Sequence, residues 1–487
     1  MSPVLILLTI AAYFAVLFSV SYFTGRKADN AGFFSGNRKS PWYLVAFATI
    51  GAAISGVTFV SVPGMVAEKS FSYLQMVLGF AVGQILVAFV LIPLYYRMNL
   101  VSIYEYLENR FGLLTYKTGA WLFFVSKMLG ASIRLFIVCV VLQFLVFKPL
   151  GLSFILNVIF TVGIVWLYTF RGGVKTLIWT DSFKTFCLIV SVGLCIYYIA
   201  VNLTASGVNV FSTISGSAMS KIFFFDDIND PRYFFKQFLA GVFTTIAITG
   251  LDQDMMQKSL SCKNFKDSQK NMITGGILQI VINLLFLVLG VLLYAYAAAN
   301  AIALPKTADE VFPFLATQGY FPFIISLLFI IGLISAAYAA AGSALTALTT
   351  SFTIDILKGT QGKAEKETAA TRQKVHAGMA VVMGLVIYVI NLLNNTSVID
   401  TVYKLASYTY GPLLGMFVFG IFTKWKIRER WTPAVVIVSP IICFILDFYS
   451  KTWFNGYEFS HERLIFNALF TFLGLCLFIR RDTTYEE

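Results

Sequence analysis

Thirteen apolar runs, each long enough to cross a lipid bilayer, follow one another along this chain with only short gaps between most of them. They fall at 4–24, 42–67, 73–97, 117–147, 151–170, 179–203, 234–258, 272–300, 321–357, 372–394, 399–424, 431–449 and 461–479. About 20 apolar residues in a helix span the hydrocarbon core. Backbone groups in that core must find hydrogen-bond partners inside the protein, so each run is predicted to be a transmembrane helix. The expectation is an all-α membrane protein forming a single transmembrane domain over 1–487. Charged residues make up only 12% of the chain, about half the share of a soluble domain.

The formal charge of +12 is spread through the gaps and not gathered on one segment, which argues against a nucleic-acid partner and for the lipid bilayer. Its distribution alternates. Arg26, Lys27, Arg38 and Lys39 fill the first gap, Lys263, Lys266 and Lys270 a later one, and Lys426, Arg428 and Arg430 another, all odd-numbered. The long even-numbered gap 204–233 carries Asp226, Asp227 and Asp230. Basic loops stay in the cytoplasm, so the N-terminus is expected outside and the C-terminus inside. The first run lacks a basic leader and a small-residue cleavage pattern and reads as a retained helix. Six scattered cysteines show no paired spacing, and His376 and His461 both read as residues of the polar gaps that lead into the runs starting at 372 and 461, so no metal-ligand or enzymatic constellation emerges.

Two runs are unusually rich in glycine and hydroxyls. The second reads AFATIGAAISGVTFVSVPG and the seventh GVFTTIAITGLDQDMMQK. They stand five runs apart, as a five-plus-five inverted repeat requires, and interrupted helices at matching places of two repeats build transporter sites. Close packing through small residues is the other account of either run alone.

GAAISGVTF, TDSFKT, TGLDQDMMQKSL, SFTIDILKG and YTYGPLLGMFVFGIFTK occur in order along nearly the whole chain. In these five stretches the chain resembles the sodium/solute symporter family, whose inverted-repeat fold is shared with the bacterial leucine transporter. The resemblance implies one extra N-terminal helix (4–24), a first repeat over 42–203, a second over 234–424, and two extra C-terminal helices over 431–479. It also implies alternating access, sodium as the coupling ion, and a location in a bacterial cytoplasmic membrane. The chain is expected to work as a monomer.

Ionisable residues inside spans are costly and are usually functional. Arg134 cannot shed its charge, so it either forks onto a substrate carboxylate or belongs to an internal ion pair. Family members that carry sialic acid resemble this chain here, with an arginine matching Arg134 and hydroxyls matching Ser55 and Thr58. Lys404 matches a solute-contacting glutamine of sugar carriers, or else pairs with Asp400 on its own helix face. Gln75 and Thr249 complete the expected solute site. The sugar carriers' aromatic pair is replaced by Ile248 and Thr249, which disfavours a neutral hexose.

For sodium, the resemblance implies carbonyls of Gly51, Ile54 and Ala336, with a second site at Asp181 and Ser343. Here the chain departs from the pattern, because two hydroxyl positions are Ala339 and Ala340. Lys184, three residues after Asp181, can stand in for a sodium ion, pair with Asp181, or reach toward the interface. The expectation is therefore a non-enzymatic symporter of a small anionic or polyhydroxylated solute such as sialic acid or a sugar acid. A sodium-independent carrier using Lys184, and a transporter-like sensor or channel, stand as alternatives.

Overall fold

The computed structural model describes residues 3–480 apart from 27, 55, 360–361, 394–397, 458 and 460. The regular secondary structure of these residues is helical. Among the described residues, eight helices are long and apolar enough to cross a membrane, two further pairs qualify when each is taken across a bend, and three shorter apolar helices accompany them. In chain order the principal helices are α1 Pro3–Gly25, α2 Trp42–Ala53, α3 Gly56–Gly64, α4 Tyr73–Leu86, α5 Leu113–Leu142, α6 Phe154–Thr169, α7 Gly173–Ala205 and α8 Phe234–Thr245. They continue with α9 Gln253–Ser259, α10 Phe265–Ala299, α11 Phe323–Ser351, α12 Glu365–Leu393, α13 Val398–Phe422, α14 Thr432–Phe448 and α15 Arg463–Leu477.

Burial separates centre from rim. In the most apolar window of the helix Phe323–Ile356, 72% is buried, against 28% for Ile6–Gly25, Glu365–Leu392 and Glu429–Phe448. The helix α11 is therefore the axis of the bundle, while α1, α12 and α14 present apolar side chains outward. An unbroken apolar surface of that kind is stable in lipid and not in water.

The two glycine-rich runs are both broken. The helices α2 and α3 are bent by 65° to one another, and α8 and α9 by 72°. In the second pair the chain widens into a π turn at Ile246–Gly250 before α9 restarts. Such widened turns leave backbone groups without their regular partners and collect at functional sites. Asp252 restarts the helix, its carboxylate accepting the Asp254 N–H at 2.9 Å.

Glycine brings these elements close to their supports. A Cβ on Gly51 would collide with the Thr185 hydroxyl and press on the Asp181 carbonyl, so α2 rests directly on α7. Gly79 and Gly241 face each other where α4 crosses α8, each leaving room only for the other's backbone. His376, read as a gap residue, is instead buried, hydrogen-bonded to the Thr169 and Thr349 hydroxyls at 2.9 and 2.8 Å.

Candidate functional site

The breaks in the two interrupted helices open onto one cavity, with about 100 Å³ of room for the centres of water-sized spheres. That is several times the space one water needs. Ile54 and Thr58 border it from the first broken helix, and Thr244, Thr245, Thr249 and Asp252 from the second. Lys127 and Arg134 reach it from α5, Asn283 from α10, Ala340 from α11 and Tyr410 from α13.

Arg134, Thr58 and Thr249 thus share one wall system, although 191 positions separate the first and last in sequence. Arg134 is half-buried, and among the described residues no carboxylate lies within ion-pair distance of its guanidinium. Asn283 is 1% exposed; its amide nitrogen donates to the Gln279 carbonyl at 2.8 Å while its side-chain oxygen has no partner among the described residues. A buried acceptor left unmatched is expensive unless a ligand or water completes it. The cavity therefore presents a fixed cation, an open acceptor and threonine hydroxyls.

Gln75 does not reach this cavity. Its amide donates to the carbonyls of Ser72 at 3.2 Å and Arg232 at 2.8 Å, and its oxygen accepts the Phe224 N–H at 3.2 Å. It pins the 204–233 loop onto α4. In that loop the Arg232 fork grips Asp230 at 2.8–3.1 Å and holds its carboxyl below the usual range. The family resemblance suggested a solute contact because Gln75 lies near the place of the sugar carriers' acidic residue in the third run; loop anchoring accounts for its hydrogen bonds here. Ser55 and the Lys404 side chain lie outside the described residues.

Beside the cavity runs a ladder of buried charge. Lys127 bridges Asp254 at 2.7 Å and Asp252 at 3.1 Å, and the Tyr410 hydroxyl donates to Asp252. Lys258 sits 3.8 Å from Asp254 and 2.9 Å from Asp181. Lys184 closes the ladder, 3.1 Å from the other Asp181 oxygen. Of these, Asp181 and Lys184 were singled out from sequence, whereas Lys127, Lys258, Asp254 and Tyr410 were missed. One signal was available: Lys127 precedes Arg134 by seven residues, two helical turns, and so shares its face.

The first implied sodium position lacks side-chain oxygens at two of its places. Gly51 lies against α7, and the side chains of Ile54 and Ala336 are buried. Ala339 and Ala340 beside them contribute buried methyl groups where a cation cage needs oxygens.

Two broken helices meeting at a polar, charge-lined cavity within an apolar bundle define a membrane carrier. The chain belongs to the sodium:solute symporter family, whose model matches residues 33–429. It is 25% identical over 469 residues to the sodium/sialic acid symporter NanT of Aliivibrio fischeri, covering 92% of this chain and 88% of that one. To the sodium/sialic acid symporter SiaT of Proteus mirabilis it is 23% identical over 466 residues, covering 90% and 88%. The fold matches a substrate-bound, outward-open Na⁺-coupled sialic acid symporter with a TM-score of 0.81 at 18% identity, over 97% of each chain. These are transporters and not enzymes, and sodium-coupled symport of a solute is the activity of the family.

Proposed function

We propose that this protein carries a small hydroxyl-rich monoanion, such as sialic acid or a sugar acid, across the cytoplasmic membrane by alternating access. The observation that carries the reading is Arg134, a permanent cation at the cavity with no ion-pair partner among the described residues. The ladder beside it balances Lys127, Lys184 and Lys258 against Asp181, Asp252 and Asp254. Arg134 thus leaves one positive charge over, and a single carboxylate neutralises it with two parallel hydrogen bonds. Thr58, Thr249 and Asn283 suit hydroxyl groups on the same solute, with Ser55 and Lys404 as further candidates. The names of the two bacterial relatives support the sialic acid class.

In this reading all thirteen apolar segments cross the membrane, and 42–203 and 234–424 form inverted repeats around the cavity. The N-terminus is outside, the C-terminus is inside, and one chain suffices. Thermal melts of the purified protein with N-acetylneuraminate, gluconate, lactate, glucose and leucine test the solute class, since a ligand of the folded state raises the melting temperature. A hydroxylated anion should give the largest rise. A larger rise with glucose than with any anion overturns the reading.

A further inference from the structure

Asp181 on α7 is fully buried, and both its oxygens are engaged. The Lys184 ammonium donates to Oδ1 at 3.1 Å, and the Lys258 ammonium, arriving from α9, donates to Oδ2 at 2.9 Å. The Ser343 hydroxyl of α11 adds a third donor at 2.8 Å to Oδ2. Lys184 also donates to the Tyr338 carbonyl at 3.2 Å and lies 4.1 Å from the centre of the Tyr168 ring, whose face favours a cation. One carboxylate therefore holds two ammonium groups and a hydroxyl, drawn from three helices.

This arrangement performs what a bound metal cation would. An ammonium is a compact positive charge that gathers oxygens through its three donors. Adding a sodium ion at Asp181 would place three cations on one carboxylate inside the protein, where an uncompensated charge is costly. The neighbouring rungs have no carboxylate to spare for a further cation: Asp254 is bound by Lys127 at 2.7 Å and already faces Lys258 at 3.8 Å, and Asp252 is bound by Lys127 and Tyr410. At the other implied position, Ala339 and Ala340 place methyl groups where side-chain oxygens are required.

We infer that Lys184 and Lys258 are built-in cations that hold the places of sodium at Asp181, so that this chain forms its solute site without binding sodium there. A tethered cation cannot leave with the solute. It organises α7, α9 and α11 permanently, whereas an exchangeable ion would organise them only when bound. The inference rests on the carrier reading for its meaning, but sodium alone is the probe and no solute enters its test.

The measurement is thermal stability of the purified full-length protein in sodium chloride against choline chloride at equal ionic strength. The wild type should melt identically in the two salts. A saturable, sodium-specific rise overturns the inference. The variant Lys184→Gln frees one Asp181 oxygen and takes one positive charge from the ladder, and it should acquire a sodium-specific rise. A folded variant that stays indifferent to sodium also overturns the inference. Should that protein fail to fold, Lys258→Gln, in which Asp181 keeps Lys184, is read with the same two outcomes.

Discussion

Arg134 and Asp181 are both ionised groups inside an apolar bundle, yet their surroundings are opposite. Arg134 faces a cavity and has no ion-pair partner among the described residues, while Asp181 is sealed from solvent and holds two ammoniums and a hydroxyl. The difference separates two uses of buried charge. A charge left open toward space large enough for a solute is a binding element whose completion comes from outside. A charge saturated by its own chain ties helices together and has nothing further to receive.

Substitution should break this comparison unequally. The largest effect is expected for Asp181→Asn, which leaves Lys184 and Lys258 without their shared carboxylate. Removing one partner of a buried pair costs about 3–5 kcal/mol, and denaturant or thermal melts of the purified protein should register it with or without solute. Lys258→Gln should be milder, since Asp181 retains Lys184. Equal melting of Asp181→Asn and wild type would mean that the ladder does not hold the bundle.

Arg134→Gln should behave in the reverse manner. Melting without solute should stay close to wild type, because no internal pair is lost. Solute affinity should fall by roughly 10- to 150-fold, the worth of a charged hydrogen bond at about 1.5–3 kcal/mol, as read by titration calorimetry. Unchanged affinity would remove Arg134 from the solute site. Asn283→Leu should weaken binding by about fivefold, near 1 kcal/mol for a neutral hydrogen bond, without lowering the melting temperature.

Glu105 belongs to neither region and is tested through pH. It lies between the fourth and fifth principal helices, outside the long apolar helices, and burial, aided by the nearby Asp355, pushes its carboxyl up to about 7. A raised carboxyl favours the folded state while protonated, so its contribution is full below its ordinary pKa of about 4.5 and is lost as pH rises through about 7. Melts of Glu105→Gln across pH 5 to 8 should lack this slope, with the variant gaining on wild type toward the alkaline end. Parallel profiles would show that Glu105 ionises without consequence.

Much of the fold was legible in the sequence because a bilayer imposes a length and a polarity on every crossing segment. The two broken helices were legible too, as glycine and hydroxyl clusters five segments apart. At the site, Arg134 stood out as an arginine in an apolar run, and Asp181 with Lys184 as charges one turn apart on one helix. Gln75 misled because nearness to a family position does not decide what an amide binds, and here the loop ending at Arg232 and Tyr233 supplies its partners.

The sequence by itself determined the all-helical membrane class, the family, and the residues whose charge would have to be accounted for. Each follows from composition along one segment or from helical periodicity, which are properties of local chain. Only the tertiary structure decided which charges meet: that Lys258 reaches Asp181 across 77 positions, that Lys127 bridges Asp252 and Asp254, and that Arg134 is left over. Periodicity tells which face of a helix a side chain occupies, but which neighbouring helix meets that face is set by packing of the whole bundle. Whether a buried charge is a binding site or a brace depends on that neighbour.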